Sequence, residues 1–221
     1  MVRVCLLLAL LSLVSLVYSQ CSGGIPTTSS GIPTTTGPIP TTEVKAAAVQ
    51  CSGGIPAAEV KGFLDAHNKL RQSISAGTYV AKGKTMPAAK TPIPNLTWDC
   101  DLEKSAQKVA ATCVFAHSQN RNNTGENLYT YWSSDKISFA GQGKAASDYW
   151  EKEFQDYGWP SIKMTNALFN SGVGHATQMA WAKTTKIGCG MSLCDGGKTI
   201  IVVCQYRDAG NMMGENIYDA K

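Results

Sequence analysis

Residues 174–181 read Gly-His-Ala-Thr-Gln-Met-Ala-Trp, and residues 202–206 read Val-Val-Cys-Gln-Tyr. In the first stretch, His175 follows two closely spaced glycines, and glycines beside polar groups are typical of tight turns that present a side chain. The second stretch continues an apolar run from Ile200, which indicates a buried β-strand. Together the two stretches predict a strand inside the core and, before it in the chain, a turn that exposes a histidine.

The chain before these stretches has a helical pattern. Apolar residues recur every three or four positions between residues 57 and 75, which predicts an amphipathic helix with His67 as a histidine of the core. Asp99 is placed to cap a second helix, and a third helix is expected at about residues 144–157. A long loop containing glycine, lysine and proline, residues 77–95, separates the first two helices.

The C-terminal part has a β pattern. Residues 186–193 and 199–206 predict two strands, and Gly196-Gly197 between them predicts a two-residue hairpin turn, because such a turn needs positive φ at both positions. In that register Cys189 faces Cys204 at a distance that suits a disulfide. Helices followed by antiparallel strands predict an α+β fold class, and about 160 residues suffice for a single core.

The first fifty residues differ in composition from the rest. Residues 1–19 contain one cation, Arg3, followed by an apolar run that is too short to span a bilayer, which needs about 20 residues. This pattern predicts a signal peptide that is removed on secretion. Residues 20–50, rich in Thr, Pro, Ser and Gly, predict a flexible arm open to O-glycosylation. The folded domain is then expected over residues 51–221.

Of the eight cysteines, Cys5 belongs to the predicted signal peptide, so seven remain in the mature chain. Cysteines in an exported chain predict disulfides, and an odd number leaves one without an intramolecular partner. Cys100 and Cys113 stand at the two ends of one predicted helix, too far apart to pair with each other. Their partners must come from three other cysteines, namely Cys21, Cys51 and Cys194.

Cys21 and Cys51 lie in identical heptapeptides, Gln-Cys-Ser-Gly-Gly-Ile-Pro. Cys51 adjoins the folded domain, whereas Cys21 lies at the far end of the arm, so Cys51 has the higher effective concentration for an intramolecular bridge. We therefore expect Cys21 to form an intermolecular disulfide that gives a covalent homodimer. Displacement of Cys51 by Cys21, or capping of the thiol by a small molecule, is the alternative.

Charge and sequons limit the partners. The chain has 20 basic and 16 acidic residues and a formal net charge of +4, with no basic run, so nucleic acid is a poor partner. Asn95-Leu96-Thr97 and Asn122-Asn123-Thr124 match the N-glycosylation pattern, which predicts glycans at Asn95 and Asn122 in a secreted chain.

The two opening stretches resemble the signatures of the CAP superfamily, which includes antigen 5 of wasp venoms, cysteine-rich secretory proteins and plant pathogenesis-related proteins. The resemblance covers about residues 57–219 and includes His67-Asn68-Lys69-Leu70-Arg71, Trp98-Asp99 and Gly210-Asn211. Within the superfamily, residues 113–118, 125–127 and 209–214 are most similar to activation-associated secreted (venom allergen-like) proteins of parasitic nematodes. The resemblance implies a three-layer α-β-α sandwich.

The resemblance also implies a central cleft formed by two histidines and two acidic residues. The matching positions are His117, Glu126, Glu153 and His175, with Glu151 as the alternative to Glu153. The sequence departs from the family pattern at two positions. Ala176 replaces the usual aromatic residue and predicts a wider or softer cleft wall, and Asp208 replaces the usual proline.

Two imidazoles and two carboxylates suit a divalent cation, so His117 and His175 are candidate ligands for weakly bound zinc, with an activated water as the basis of a hydrolase hypothesis. The alternative is that the carboxylates only accept hydrogen bonds from the imidazoles and hold loops together. The sequence has no His-Glu-x-x-His and no Gly-x-Ser-x-Gly motif, so we favour a protein that is not an enzyme and requires no cofactor.

A lipid-binding function is the second hypothesis, since relatives in the superfamily bind sterols and fatty acids through an aromatic loop. Here that loop contains Tyr157, Trp159 and Phe169, although packing of Trp159 within the loop is equally compatible with the sequence. Engagement of a host protein, as an immunomodulator, is a third hypothesis. The sequence thus predicts a secreted, glycosylated protein that binds a lipid, a sterol or a host component.

Overall fold

The computed structural model describes residues 51 and 54–221. The predicted signal peptide and the whole predicted arm, including Cys21, lie outside the described residues, so the predicted domain boundaries stay predictions. Within the described part of the chain, no helix is both long and apolar enough to cross a bilayer.

Five α-helices and six strands make up this part of the chain. The helices are α1 (Ala57–Ala76), α2 (Cys100–Ala110), α3 (Gln142–Asp156), α4 (Asn166–Asn170) and α5 (Gly174–Ala180). The strands are β1 (Val80–Ala81), β2 (Lys84–Thr85), β3 (Thr97–Trp98), β4 (Gly125–Trp132), β5 (Lys186–Cys194) and β6 (Thr199–Arg207). The three helices expected from the sequence are present, and Asp99 caps α2 by accepting a hydrogen bond from the Leu102 amide at 2.9 Å.

The main sheet has the strand order β3-β5-β6-β4, with β3 parallel to β5 and the other pairs antiparallel. The predicted β5–β6 register is confirmed, because Cys189 lies opposite Cys204. The predicted two-residue turn is wrong. Pairing stops at Cys194 and Thr199, and Asp195, Gly196 and Gly197 all have positive φ in a four-residue connection. The register survives because the longer connection has the same midpoint.

Strand β6 explains why residues 200–203 are continuously apolar: both faces of the sheet are covered. Ile200 and Val202 belong to the larger core, which they share with residues of α1, α3 and α5, whereas Ile201 and Val203 join a smaller core with Ala106 and Ala110 of α2. The fold is therefore the expected α+β, three-layer α-β-α sandwich.

Helix α2 lies on strand β5 at backbone contact distance. A Cβ atom added at Gly188 would lie 2.2 Å from the Glu103 backbone nitrogen, and one at Gly190 would lie 2.3 Å from Gln107 backbone atoms. No side chain fits at either position. The glycines on both sides of Cys189 therefore let the helix approach the sheet closely.

Three disulfides tie the described elements together: Cys51–Cys100, Cys113–Cys194 and Cys189–Cys204. Cys51 is thus bonded within the chain, and Cys194 pairs with Cys113. Helix α2 ends at Ala110, so Cys113 lies beyond the helix, with a φ of 55°. The first two bridges secure the two ends of α2.

Candidate functional site

One half of the site is formed where α3 meets the start of α5. Glu153 of α3 accepts hydrogen bonds from the His175 backbone amide at 2.9 Å and the Ala176 amide at 3.0 Å, and its Oε1 receives the His175 ring Nδ1 at 2.5 Å. A carboxylate also interacts favourably with the N-terminal end of a helix. Glu153 therefore fixes both the helix and the imidazole.

Glu151, the alternative considered for this position, lies elsewhere. It is beside Tyr79, and burial raises the pKa of the Glu151 carboxyl above its ordinary value. The direct contact with His175 therefore identifies Glu153, and not Glu151, as the acidic residue of this half of the cleft.

The far end of α5 is held by Arg71 of α1, which sequence analysis missed. Its guanidinium is fully buried and donates to the carbonyl oxygens of Met179 (3.0 Å) and Trp181 (2.9 Å). It also donates to the carbonyls of Pro94 and Thr184, both at 2.7 Å. Burial lowers its pKa to about 10, so it stays charged at neutral pH. The helix that carries His175 thus has a partly buried acid at its start and a fully buried cation at its end.

The other half of the site is formed by the loop after Cys113 and by strand β4. His117 Nδ1 lies 2.8 Å from Glu126 Oε1, and the Ser118 amide donates to the same oxygen at 2.9 Å. The Ser118 hydroxyl (2.6 Å) and Gln205 Nε2 (2.9 Å) donate to Glu126 Oε2. Four donor groups therefore surround a carboxylate whose side chain is fully shielded from solvent.

These contacts set the charge state of Glu126. Burial by itself disfavours the ionised carboxyl, but the hydrogen bonds from His117, Ser118 and Gln205 outweigh it and lower the pKa to about 2. Arg121, at 3.4 Å, is a further cation beside the carboxylate. Glu126 is consequently ionised throughout the physiological pH range.

The four predicted residues line one cleft of about 540 Å³. Since a carboxylate only accepts, each histidine donates through Nδ1 and keeps Nε2 as an acceptor in the neutral ring. Neither Nε2 has a hydrogen-bond partner among the described residues. Phe169 and Met213 line the same cleft and are 43% and 50% exposed.

A buried polar chain lies behind His175. Asn127 Nδ2 donates to the His175 carbonyl and to Tyr206 Oη, both at 3.1 Å. Tyr206 Oη lies 2.9 Å from His67 Nε2, and His67 Nδ1 lies 2.8 Å from the Phe63 carbonyl, so Nδ1 carries the proton. His67 is fully buried, as a core histidine, and desolvation lowers its pKa to about 3.

The lipid candidates separate into two groups. Trp159 is 1% exposed and stacks on Phe154 with ring centroids 4.1 Å apart, so its assignment to a lipid site is wrong and it belongs to the core. Tyr157 is exposed and its ring lies against Gly172, while Phe169 lies beside Gly174 at the cleft. Phe169 alone of the three lines the cleft.

Ala176 does not change the cleft as expected. It is fully buried in the larger core and is absent from the residues that line the cleft, so the predicted effect on the cleft wall is wrong. Ala176 contributes to the site through its backbone amide, which donates a hydrogen bond to Glu153.

The two sequons lie on exposed backbone. Asn95 accepts a hydrogen bond from Gln72 at 3.2 Å, and Asn122 lies in the loop between His117 and Glu126 with a φ of 46°. Asn122 lines a neighbouring cavity, while Arg121 and Thr124 line both that cavity and the cleft. A glycan at Asn122 would therefore start beside the cleft, at the entrance of the second cavity.

The donor set bears on the metal hypothesis. Across residues 51 and 54–221, no group of three or more His, Cys, Asp or Glu side chains is arranged to hold a metal ion. The carboxylates of Glu126 and Glu153 are occupied by the histidine Nδ1 atoms. The two Nε2 atoms are therefore the ring nitrogens that the cleft offers to a cation.

The described chain is thus a disulfide-bonded α-β-α sandwich with two imidazole–carboxylate pairs in one cleft. The chain belongs to the CAP (cysteine-rich secretory protein) family, whose model matches residues 64–206. It is 36% identical over 177 residues to Venom allergen 3 of Solenopsis invicta, covering 76% of this chain and 75% of that protein.

Nematode relatives are also similar. The chain is 38% identical over 165 residues to Ancylostoma secreted protein of Ancylostoma caninum, and the match covers 71% of this chain and 38% of that longer protein. Among solved structures, BmVAL-1 superposes with a TM-score of 0.74 at 40% identity, covering 78% of this chain and 87% of that one. NaASP2, solved with Zn²⁺, gives a TM-score of 0.72 at 37% identity over 78% of this chain and 91% of that one.

Proposed function

We propose that this protein is secreted and acts by binding a small amphipathic lipid, a fatty acid or a sterol, in the central cleft rather than by catalysis. The observation that carries the proposal is the composition of the cleft. Two imidazoles keep Nε2 available as polar contacts, and the partly exposed Phe169 and Met213 supply apolar surface in the same space. A polar head group would meet the histidines, and its hydrocarbon part would cover Phe169.

The contacts of Ser118 favour binding over hydrolysis. A serine nucleophile is activated when a histidine accepts its hydroxyl proton, but the Ser118 hydroxyl donates to Glu126 at 2.6 Å. His117 Nδ1 is directed to the same carboxylate. The groups are thus held as fixed hydrogen-bonding partners, which suits recognition of a ligand.

Export is supported by three disulfides within the described chain and by membership in a secretory family. N-glycans at Asn95 and Asn122 and a homodimer linked through Cys21 are part of the same proposal. Non-reducing electrophoresis of the secreted protein beside a Cys21→Ser variant tests the dimer. A monomer band for both proteins, or a dimer that survives the substitution, counts against it.

The lipid proposal is tested by displacement of a fluorescent fatty acid from delipidated protein, with cholesterol as a second ligand. Phe169→Ser removes the apolar wall and should weaken binding about tenfold, since burying such a ring contributes about 1.5–3 kcal/mol. Phe115→Ser is the matched control, because Phe115 is 56% exposed and does not line the cleft. Equal affinities for the two variants would exclude the cleft as the lipid site.

Weak binding of zinc is the second candidate function. Each imidazole donates Nδ1 to a carboxylate, the arrangement that commonly orients a metal-binding histidine, and the similar NaASP2 was solved with Zn²⁺. A cation here would act as a Lewis acid toward a bound oxygen. With two protein nitrogens as ligands we expect micromolar or poorer affinity, and no requirement for the metal in folding.

Calorimetric titration with zinc tests this candidate. The wild type should release heat. The double variant His117→Ala/His175→Ala should abolish the signal, because both Nε2 atoms that would bind the zinc are then gone. Unfolding temperatures with and without a chelator serve as the control for folding. Undiminished heat in the double variant would place any zinc outside the cleft.

A further inference from the structure

A second cavity, of about 480 Å³, lies between α2 and the loop of residues 118–124. It adjoins the histidine cleft, and Arg121 and Thr124 line both spaces. The remainder of its wall comes from α2 and from the end of β6, neither of which lines the cleft. The lipid and zinc proposals above assign no role to this cavity.

The charges of this cavity favour an anion. Lys108, Arg121 and Arg207 line it, against one carboxylate, Asp101. Arg121 and Arg207 lie 3.4 and 3.7 Å from Glu126 and Asp99, respectively. Lys108 is exposed and has no carboxylate within 4 Å among the described residues, so its charge is not neutralised locally.

Neutral donors complete the wall. The Ser105 hydroxyl and the Gln119 and Asn120 amides line the cavity and make no hydrogen bond to the part of the chain described here. Apolar lining is restricted to Leu102, which is buried, and Val109, so a hydrocarbon chain would find little surface. Cations with free hydroxyl and amide donors are what an oxyanion requires.

We propose that this cavity binds a sulfate or phosphate ester group, with Lys108, Arg121 and Arg207 as its cationic contacts and with Ser105, Gln119 and Asn120 as its neutral donors. Three residues of the wall, Ser118, Arg121 and Gln205, also contact Glu126. An anion in the cavity competes with Glu126 for Arg121. Binding of the anion should therefore change the environment of His117, which contacts the same Glu126 carboxylate.

The test measures binding of inorganic sulfate, inorganic phosphate and a sulfated disaccharide to the full secreted chain, trimmed of N-glycans because Asn122 borders the cavity. The unsulfated disaccharide is the control ligand. Lys108→Gln should weaken binding of the sulfated sugar about fivefold or more, since one unit charge at contact distance contributes that factor even in a watery environment. Lys104→Gln, an exposed lysine one turn earlier on α2 that does not line the cavity, should leave it unchanged.

The resonances of the His117 imidazole supply a readout that does not depend on the variants. They should shift on addition of the sulfated sugar, while those of His175 should stay in place. Binding of the inorganic ions as tightly as the sulfated sugar identifies the free ion as the ligand, and tighter binding of the sugar identifies the ester. Equal binding of the unsulfated sugar, equal losses in both lysine variants, or no saturable binding of any anion overturns the proposal.

Discussion

The two halves of the cleft carry the same chemical pair but are supported differently. His175 and Glu153 lie on helices, and α5 is secured at both ends by charged side chains, the partly buried Glu153 at its start and the buried Arg71 at its end. His117 lies on a loop, its side chain is 52% exposed, and its position depends on the donors around Glu126.

This difference indicates where stability and adaptability reside. The His175 half is continuous with the interior through Asn127, Tyr206 and His67, so a change there disturbs the core. The His117 half rests on one shielded carboxylate and on the loop that carries His117, and among the described residues it has no such connection to the core. A ligand would therefore meet one wall that is continuous with the core and one that is formed by a loop, and the following predictions test that division.

The largest effect is expected from acid acting on His67. Its folded pKa of about 3 lies below the unfolded value of 6.5, so between these pH values the unfolded state binds one more proton and stability falls as pH falls. At about 1.36 kcal/mol per pH unit, the loss reaches about 4–5 kcal/mol by pH 3. Arg71 contributes to the shift, but burial is its main cause.

Urea unfolding between pH 6.5 and 5.5 measures this slope, because Glu126 stays mostly ionised there in both states. His67→Gln should be less stable at neutral pH but should flatten the slope by about one proton. An unchanged slope in the variant would assign the acid sensitivity to other groups.

Arg71→Met should lower the free energy of unfolding by about 3 kcal/mol, because four carbonyls, three of them buried, lose their donor. The free energy of unfolding of Arg71→Lys should lie between those of Arg71→Met and the wild type, since an ammonium group cannot reproduce the planar hydrogen-bonding geometry of the guanidinium. The exposed Lys69 on the same helix gives the matched control, Lys69→Met, with a change below about 0.5 kcal/mol.

The imidazole resonances of the folded Arg71 variants distinguish the halves of the cleft. The imidazole resonances of His175 should change their chemical shifts, and those of His117 should not. If both histidines shift equally, the two halves are coupled more tightly than the hydrogen bonds indicate.

Glu126→Gln should have a smaller effect, about 2 kcal/mol at pH 7, because the partners His117 and Arg121 are partly exposed and solvent screens them. The folded pKa of about 2 lies below the ordinary value of 4.5, so this stabilisation is present above pH 4.5 and is lost as pH falls toward 2. The difference between wild type and variant should therefore shrink over that window.

Unfolding free energies of both proteins at pH 7, 4 and 2.5 test this sign. Glu215→Gln is the matched control, since Glu215 pairs with Lys183 at the surface and its loss should cost less than about 1 kcal/mol. A difference for Glu126→Gln that grows with acid would contradict the assignment.

Much of the fold could be predicted from local pattern. Helix α1, the cap at Asp99 and the Cys189–Cys204 register follow from periodicity and turn position, which depend on near neighbours. Strand β4 could not, because Gly125-Glu126-Asn127 has the composition of a turn and becomes a strand only by pairing with β6.

The missed parts of the site have the same cause. Arg71 lies on the apolar face of α1, where a cation is uncommon, and its role depends on carbonyls about 23 to 113 positions away in the chain. Trp159 was misassigned because an aromatic residue beside proline is equally compatible with a loop and with the core. The position of Arg71 could have indicated its burial, because it lies one residue after Leu70 and three before Ile74, both of which are buried.

Helix α2 is held against strand β5 by two disulfides and by its close contact with Gly188 and Gly190. Local opening would require the helix to leave a sheet that it touches backbone to backbone while its two ends stay covalently attached. A protease, which needs an extended segment, would cut elsewhere first, and an antibody would meet the outward side chains of α2 in one shape. The surface of α2 is thus the part of the protein whose recognition by other molecules should change least with temperature or partial digestion.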